Sequence, residues 1–258
     1  MPSIRTIASS SAGNCVLISG KNIDVLVDCG VSAKSVEKAL SEIEKDGKTI
    51  RAILITHEHI DHIKGLRAFQ KKFGTEVYAH KETARILMEG NRTIHVKTFE
   101  ENEVFAIEEL TVKPFLTPHD TPVSVGFHLR FEDEQKTLGI ATDFGCVTME
   151  MQKALFGVDA VYMESNYDVE MLMSGRYPYF LKKRIAGEHG HLSNEDCSAF
   201  CEELFKGGTE KFLLGHLSAQ NNLQELAFET TNQRLCRLRS KYLLQVAPQY
   251  CVSDAMVI

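Results

Sequence analysis

Apolar runs of strand length alternate along the chain with stretches whose apolar residues recur at helical spacing, and several runs end on a residue that can ligate a metal. Residues 23–28, ending Leu26-Val27-Asp28, read as a strand closing on an aspartate; Cys29-Gly30 makes a turn, and 32–43 has helical spacing. A second apolar strand over 50–56 stops at His57-Glu58-His59-Ile60-Asp61-His62, after which Gly65 leads into a helix-like stretch to Phe73. The pattern then predicts a short strand over 76–79, a helix over about 82–88, and a strand over 110–115 that delivers Thr117-Pro118-His119. Strands over 125–131 and 136–143, joined by Glu132-Asp133-Glu134-Gln135, form the best hairpin signal, and the second of them ends on Asp143.

Beyond Asp143 the pattern gives a helix over 148–156, a strand over 159–163 and no clean period over 166–183. Ser193 is placed as a helix N-cap, with the Asp196 carboxylate three residues on and Ala199, Phe200 and Leu204 at helical spacing behind it. A short strand over 212–214 runs into Gly215-His216, and a helix over about 223–238 and a strand over 242–246 follow. With no internal repeat, linker or compositional break, the expectation is a single domain over 1–258.

Composition narrows the class. At 43% hydrophobic and 25% charged residues the chain is an ordinary globular one, which excludes disordered, collagen-like and coiled-coil classes. No apolar run approaches the roughly 18 residues of a membrane-spanning helix. The start Met1-Pro2-Ser3-Ile4-Arg5 lacks a basic region followed by an apolar core, so a cytoplasmic location is expected. Seven scattered cysteines without a CxxC pair argue against a disulfide framework and a thiolate zinc site, leaving buried free thiols as the expectation. The formal charge of −6 means that a polyanion must be held locally, by metal or by a small basic patch such as Lys182-Lys183-Arg184. The second basic cluster, Arg234, Arg237, Arg239 and Lys241, reads as a solvated face.

The chemistry concentrates at His57, His59, Asp61 and His62, four potential ligands within six residues at a strand end. Imidazole nitrogen and carboxylate oxygen suit zinc, manganese or iron. His119, Asp143 and His216 sit at other strand ends; each alone is more often a structural residue, but the set provides for two adjacent metal sites.

HxHxDH followed by a lone His, an Asp and a final His resembles the signature of the metallo-β-lactamase superfamily. The resemblance implies an α/β (α+β) fold, a four-layer αββα sandwich with metals at the sheet edge. It assigns His57, His59 and His119 to one metal and Asp61, His62 and His216 to the other, with Asp143 bridging. Asp28 matches the aspartate that orients a ligating imidazole by accepting its other N–H, a solvent-exposed strand-end carboxylate being the alternative. Further residues bear on the branch. His62 in place of cysteine argues against the thiolate lactamases, and 42 residues after His216 are too few for the glutathione-binding domain of glyoxalase II-type enzymes. The 72 residues between Asp143 and His216 exclude the inserted β-CASP domain, and no long exosite arm of tRNA 3′-processing enzymes is evident. The segment Gly187 to Asn194, with His216 25 residues after His191, looks like the paired C-terminal histidine motifs of the superfamily's nucleases, in which His191 would contact the scissile phosphate.

Ser9-Ser10-Ser11-Ala12-Gly13-Asn14-Cys15 and Glu164-Ser165-Asn166-Tyr167-Asp168-Val169-Glu170-Met171-Leu172 are similar to the YycJ/WalJ family of single-domain bacterial proteins. Ala12 departs from that family's usual small polar residue or glycine. The resemblance implies a dinuclear-metal-dependent phosphodiesterase, a 5′-to-3′ exonuclease on DNA rather than RNA, carrying two divalent ions (Zn2+ or Mn2+, with Fe2+ also compatible). Asp61 would accept a proton from the attacking water, and His191 would bind the phosphate or protonate the leaving oxygen. Ser10 and Asn14 would offer donors to a phosphate, unless their loop is only a small-residue turn between strands. A small-molecule hydrolase acting on a cyclic phosphodiester, lactone or thioester is the competing reading, and a protein with a structural metal centre the third. No membrane association or protein partner is inferable.

Overall fold

In the computed structural model residues 1–90, 93–249 and 251–258 are described. The chain opens with β1 (Ser3–Ser10) and β2 (Gly13–Ser19), an antiparallel hairpin, then β3 (Asp24–Val27), α1 (Ala33–Glu42), β4 (Ile50–Ile55), α2 (Ile60–Ile63) and α3 (Leu66–Phe73). β5 (Glu76–His80), α4 (Lys81–Gly90) and β6 (Lys97–Phe99) complete the first half. The second half runs β7 (Phe105–Ile107), β8 (Leu110–Thr117), β9 (Ser124–Phe131), β10 (Lys136–Ala141), α5 (Met149–Leu155), β11 (Ala160–Glu164), α6 (Val169–Ser174), α7 (Tyr179–Ile185) and α8 (Asn194–Lys206). β12 (Lys211–Gly215), α9 (Gln224–Leu235), β13 (Leu243–Val246) and β14 (Met256–Val257) end it.

Among the described residues the strands form two seven-stranded mixed sheets, ordered β14-β1-β2-β3-β4-β5-β6 and β13-β12-β11-β10-β9-β8-β7. Strands buried on both faces explain the continuous apolar runs of the sequence. Alternate residues of one strand go to opposite layers. Val25 and Val27 pack between the sheets with Leu54, Phe127, Leu129 and Ile140. Leu26 instead faces α1 and α3 with Val36, Leu40 and Phe69, while on the far side Val161 and Met163 meet Met151, Leu155 and Phe200. The layers are helix, sheet, sheet, helix, as the αββα expectation requires.

The helix signals reflect hydrogen bonds. Ser32 Oγ accepts from the Ser35 N–H at 3.1 Å and Ser193 Oγ from the Asp196 N–H at 3.0 Å, satisfying amides that the first turn leaves unpaired. The unpatterned stretch 166–183 contains the short helix α6 and most of α7, and α7 buries none of its residues, so no apolar period was there to read. Among the described residues no helix is long and apolar enough to cross a membrane.

All seven cysteines are free, but the expectation of buried thiols holds only in part: Cys15, Cys29, Cys197 and Cys201 are buried, Cys146 is half-buried, and Cys236 and Cys251 are exposed. Burial, then the charge of Asp28, pushes the Cys29 thiol up to about 12, and burial raises Cys15 as well. A thiol without thiolate is a poor nucleophile. Native alkylation followed by mass spectrometry is therefore expected to label Cys236 and Cys251, with the four buried thiols reacting only after unfolding. Labelling of Cys15 or Cys29 in the folded protein would contradict this packing.

Candidate metal centre

The candidate ligands gather because neighbouring strands end together. β4 runs into His57, His59, Asp61 and His62; β8 delivers His119, β10 delivers Asp143, and β12 delivers His216. At three strand ends the backbone leaves the extended region: Asp28, Asp143 and His216 have φ of 61°, 57° and 54°. A non-glycine residue there costs on the order of 1–3 kcal/mol, a strain that surrounding contacts must hold.

Three overlapping groups have ligand atoms within 4.8 Å of one another: His57, His59 and His119; His57, His62 and Asp143; and Asp143, His191 and His216. Asp143 is at the centre. Its Oδ2 lies 3.3 Å from His62 Nε2 and 3.0 Å from His216 Nδ1, and its Oδ1 is 3.8 Å from His119 Nε2. Asp61 Oδ2 is 3.4 Å from His62 Nε2. All seven expected ligands thus come together, with His191 beside them.

The cluster fits a cation. Among the described residues His57 Nε2 is buried with no hydrogen-bond partner, and Asp143 Oδ2 and His216 Nδ1, though 3.0 Å apart, are not aligned to bond one another and have no other partner. Orphaned buried polar atoms are costly. Here they converge, and a cation shared among nitrogen and oxygen donors would satisfy them; the donor set holds no thiolate and suits divalent zinc, manganese or iron. Burial, reinforced by the charge of His62, holds His57 well below the usual histidine range, leaving the neutral imidazole that ligation needs. Burial opposes the charge of Asp143, yet His216 and His62 keep its carboxyl well below the usual range.

Asp28 is 3% exposed, which removes the solvent-exposed alternative. Its Oδ2 accepts from His62 Nδ1 at 2.7 Å and from Thr56 Oγ1 at 2.9 Å, while Oδ1 accepts the Thr56 N–H at 2.9 Å. No sequence motif marks Thr56; its hydroxyl also lies 3.0 Å from His57 Nδ1, tying both histidines to one carboxylate.

Glu164 is a second residue that no metal-ligand motif of the sequence marks. Fully buried at the end of β11, it accepts the Phe144 N–H through Oε1 at 2.6 Å and faces His191 Nδ1 through Oε2 at 3.1 Å. Burial disfavours a charged His191, but Glu164, followed by Asp143 and Asp120, lifts its pKa to about 9. The available signal is that β11 ends on a carboxylate, as β3 is followed by one, at the edge where the ligands gather.

The serine loop is the hairpin turn between β1 and β2. Ser10 Oγ accepts the Ala12 N–H at 3.2 Å and so closes the turn, while its neighbour Ser11 lines the cavity over the cluster. Asn14 Nδ2 donates to Asp61 Oδ2 at 3.3 Å and lies 3.2 Å from His62 Nε2, placing it against the candidate ligands. The cavity, about 200 Å3, is walled by His191, Arg184 and the apolar Leu181 and Ile185. Arg184 Nε donates to Asp120 at 2.6 Å.

A family model described as the beta-lactamase superfamily domain matches residues 24–217, most of the chain and every one of these candidate ligands. The chain belongs to the beta-lactamase superfamily. Within that superfamily it is 35% identical over 234 residues to the exodeoxyribonuclease YycJ of Bacillus anthracis, covering 89% of this chain and 87% of that one. It is also 35% identical over 239 residues to the exodeoxyribonuclease WalJ of Streptococcus pneumoniae, covering 90% and 87%. The crystal structure of the metallo-beta-lactamase fold protein YhfI from Bacillus subtilis superposes with a TM-score of 0.75 at 14% identity over 98% of this chain and 100% of that one, a likeness of fold. Superfamily and αββα architecture agree with the expectation from the histidine and aspartate motif.

Proposed function

We propose that the chain is a single-domain, cytoplasmic, metal-dependent phosphodiesterase that removes nucleotides from the 5′ end of DNA. The observation that carries this reading is the buried Asp143-centred cluster with His191 held against it by Glu164. The relatives named as exodeoxyribonucleases support the choice of DNA. His57, His59 and His119 would hold one divalent cation and Asp61, His62 and His216 a second, with Asp143 shared; zinc or manganese fits the donors. When bound, the cations would supply a water activated near neutral pH and neutralise charge on the phosphoryl oxygens.

The chain's own groups do the rest. Asp61, at the cavity wall, would accept the proton of the attacking water. Glu164 holds His191 through Nδ1, which would leave Nε2 as the nitrogen to contact the phosphate or protonate the departing oxygen. Asp28, through His62, and Asn14, through Asp61, would hold two of the ligands in place.

The test is a time course on a 5′-phosphorylated, 3′-labelled single-stranded DNA oligomer with manganese or zinc. Loss of nucleotides from the 5′ end that stops on chelation is the expected result. His191→Ala is expected to lower turnover by about 10²-fold or more with metal content unchanged; loss of metal from that variant would overturn its assignment. The small, partly apolar cavity keeps one second reading in play. An intact oligomer beside rapid turnover of a small phosphodiester would select it.

A further inference from the structure

The ladder of β12 ends one residue short of His216. Gly215 pairs with Glu164 of β11, and its carbonyl accepts the Ser165 N–H at 2.9 Å as the last rung. His216 then turns left-handed, with φ of 54°, and is 1% exposed, so its own N–H and carbonyl are buried beyond the sheet and need partners elsewhere. Side chains supply both. The N–H donates to Ser9 Oγ of β1 at 2.8 Å, and the carbonyl accepts from Asn166 Nδ2 at 2.8 Å. The direction of each bond is fixed by chemistry, because a peptide N–H only donates and a peptide carbonyl only accepts.

Both partners are themselves held. Ser9 is fully buried, with Oγ 2.9 Å from the hydroxyl of Tyr162, whose ring packs between the sheets. Asn166 is 4% exposed and tied on two sides through its backbone. Its N–H donates at 2.9 Å to the carbonyl of Leu192, the residue after His191, and its carbonyl accepts the Ser218 N–H at 2.8 Å. A serine from the first sheet and an asparagine at the edge of the second thus grip one residue from either end. Two residues before Asn166, Glu164 does the corresponding thing for the neighbouring strand, taking the N–H of Phe144 just after the left-handed Asp143. β11 lies between β10 and β12, so the segment that leaves it reaches both of these ligand-bearing strand ends.

We propose that Ser9 and Asn166 are positioning residues for the metal centre: they clamp His216 in the left-handed backbone that aims its imidazole at Asp143, and so set the affinity of the cation that Asp61, His62 and His216 would hold. This rests on the ligand assignment of the phosphodiesterase reading and adds what keeps one of those ligands in place. In the clamped conformation His216 Nδ1 is 3.0 Å from Asp143 Oδ2. A histidine at positive φ that nothing restrains relaxes to the extended or helical region. Relaxation would turn its Cα–Cβ bond and carry the ring away from the shared carboxylate. Partners that orient a ligand are worth about 10- to 100-fold in metal affinity.

The experiment titrates the full-length protein with zinc against a competing chelator. Ser9→Ala and Asn166→Ala are each expected to weaken one of two bound ions by about 10- to 100-fold and to leave the other unchanged. Ser165→Ala is the control: Ser165 is as fully buried as Ser9, and its Oγ donates to Asn194 Oδ1 at 2.6 Å, but that side chain does not touch His216. It is expected to lower Tm of the metal-free protein and keep both ions. Weakening of the same size in Ser165→Ala would make the effect one of general stability and overturn the clamp, as would unchanged zinc affinity in Ser9→Ala and Asn166→Ala. A crystal structure of metal-free Asn166→Ala gives a readout that needs no metal. There φ of His216 is expected to leave the left-handed region and the imidazole to move by more than the roughly 0.5 Å that a ligand tolerates; a ring still in place overturns the proposal. Two ions on the unsubstituted protein, one of them weakened in the clamp variants, without cleavage of any phosphodiester would sink the phosphodiesterase and keep the clamp. Cleavage by a protein whose clamp variants hold both ions normally does the reverse, and fewer than two ions on the unsubstituted protein overturns the clamp together with the ligand assignment.

Discussion

Asp143→Asn is expected to lose retained metal and, with it, essentially all phosphodiester turnover. Asp143 belongs to two of the three ligand groups and is 2% exposed, so its charge reaches His62, His119 and His216 at once with little screening by water. Asparagine keeps the size and one oxygen but removes the negative charge, and the amide nitrogen is no ligand for a divalent cation. Losing a partner that merely orients a ligand costs about 10- to 100-fold in metal affinity or activity. Losing a shared ligand should exceed that, and metal analysis after dialysis, run beside the oligomer assay, measures both effects. His59→Ala provides the contrast: His59 is more exposed and belongs to one group only, so the Asp143-centred groups stay intact. A variant Asp143→Asn that keeps normal metal content and rate would refute the shared-ligand role.

Part of this centre is legible in the sequence because four of its candidate ligands lie within six residues, and no folding is needed to see that His57 to His62 are close together. His119, Asp143 and His216 are legible only as strand-end residues, and their convergence depends on the sheet order. Glu164 shows the limit. Its position is set by the parallel ladder of β11 with β12, in which Glu164 pairs with Gly215, and by its contact with His191 27 residues away. Neither leaves a local periodicity. The same holds for the left-handed backbone at Asp28, Asp143 and His216, since Asp and His there follow no turn signal of the glycine kind. β1 and β2 show no continuous apolar run because serines, threonine, glycine and alanine interrupt it, although both strands are buried almost throughout.

Gly30 offers the second large effect, and one that separates placement of ligands from their chemistry. The turn after β3 is stitched to its surroundings by backbone bonds: the Cys29 N–H to the His62 carbonyl at 2.8 Å, the Gly30 N–H to the Asn14 carbonyl at 2.7 Å, and the Gly65 N–H to the Cys29 carbonyl at 2.8 Å. A Cβ on Gly30 would sit 1.5 Å from the Asp61 carbonyl oxygen and 2.7 Å from the Asn14 nitrogen. Both obstacles are backbone, so no side chain can swing away. Gly30→Ala must push the 61–65 loop off the turn, and Asp61 and His62 move with it. Overpacking of this kind costs about 3 kcal/mol or more, which for a chain of this size lowers Tm by about 6–12 °C. Ligand positions tolerate only about 0.5 Å of error, so the cation proposed at Asp61, His62 and His216 should be lost while His57, His59 and His119 keep theirs. Gly74→Ala is the control: with φ of +71° and nothing within 4 Å of an added Cβ, it costs about 1–2 kcal/mol through the backbone alone and leaves the centre intact. Equal Tm losses in the two variants, or full metal retention in Gly30→Ala, would show that the loop has slack and that close backbone contact is not what sets these ligands.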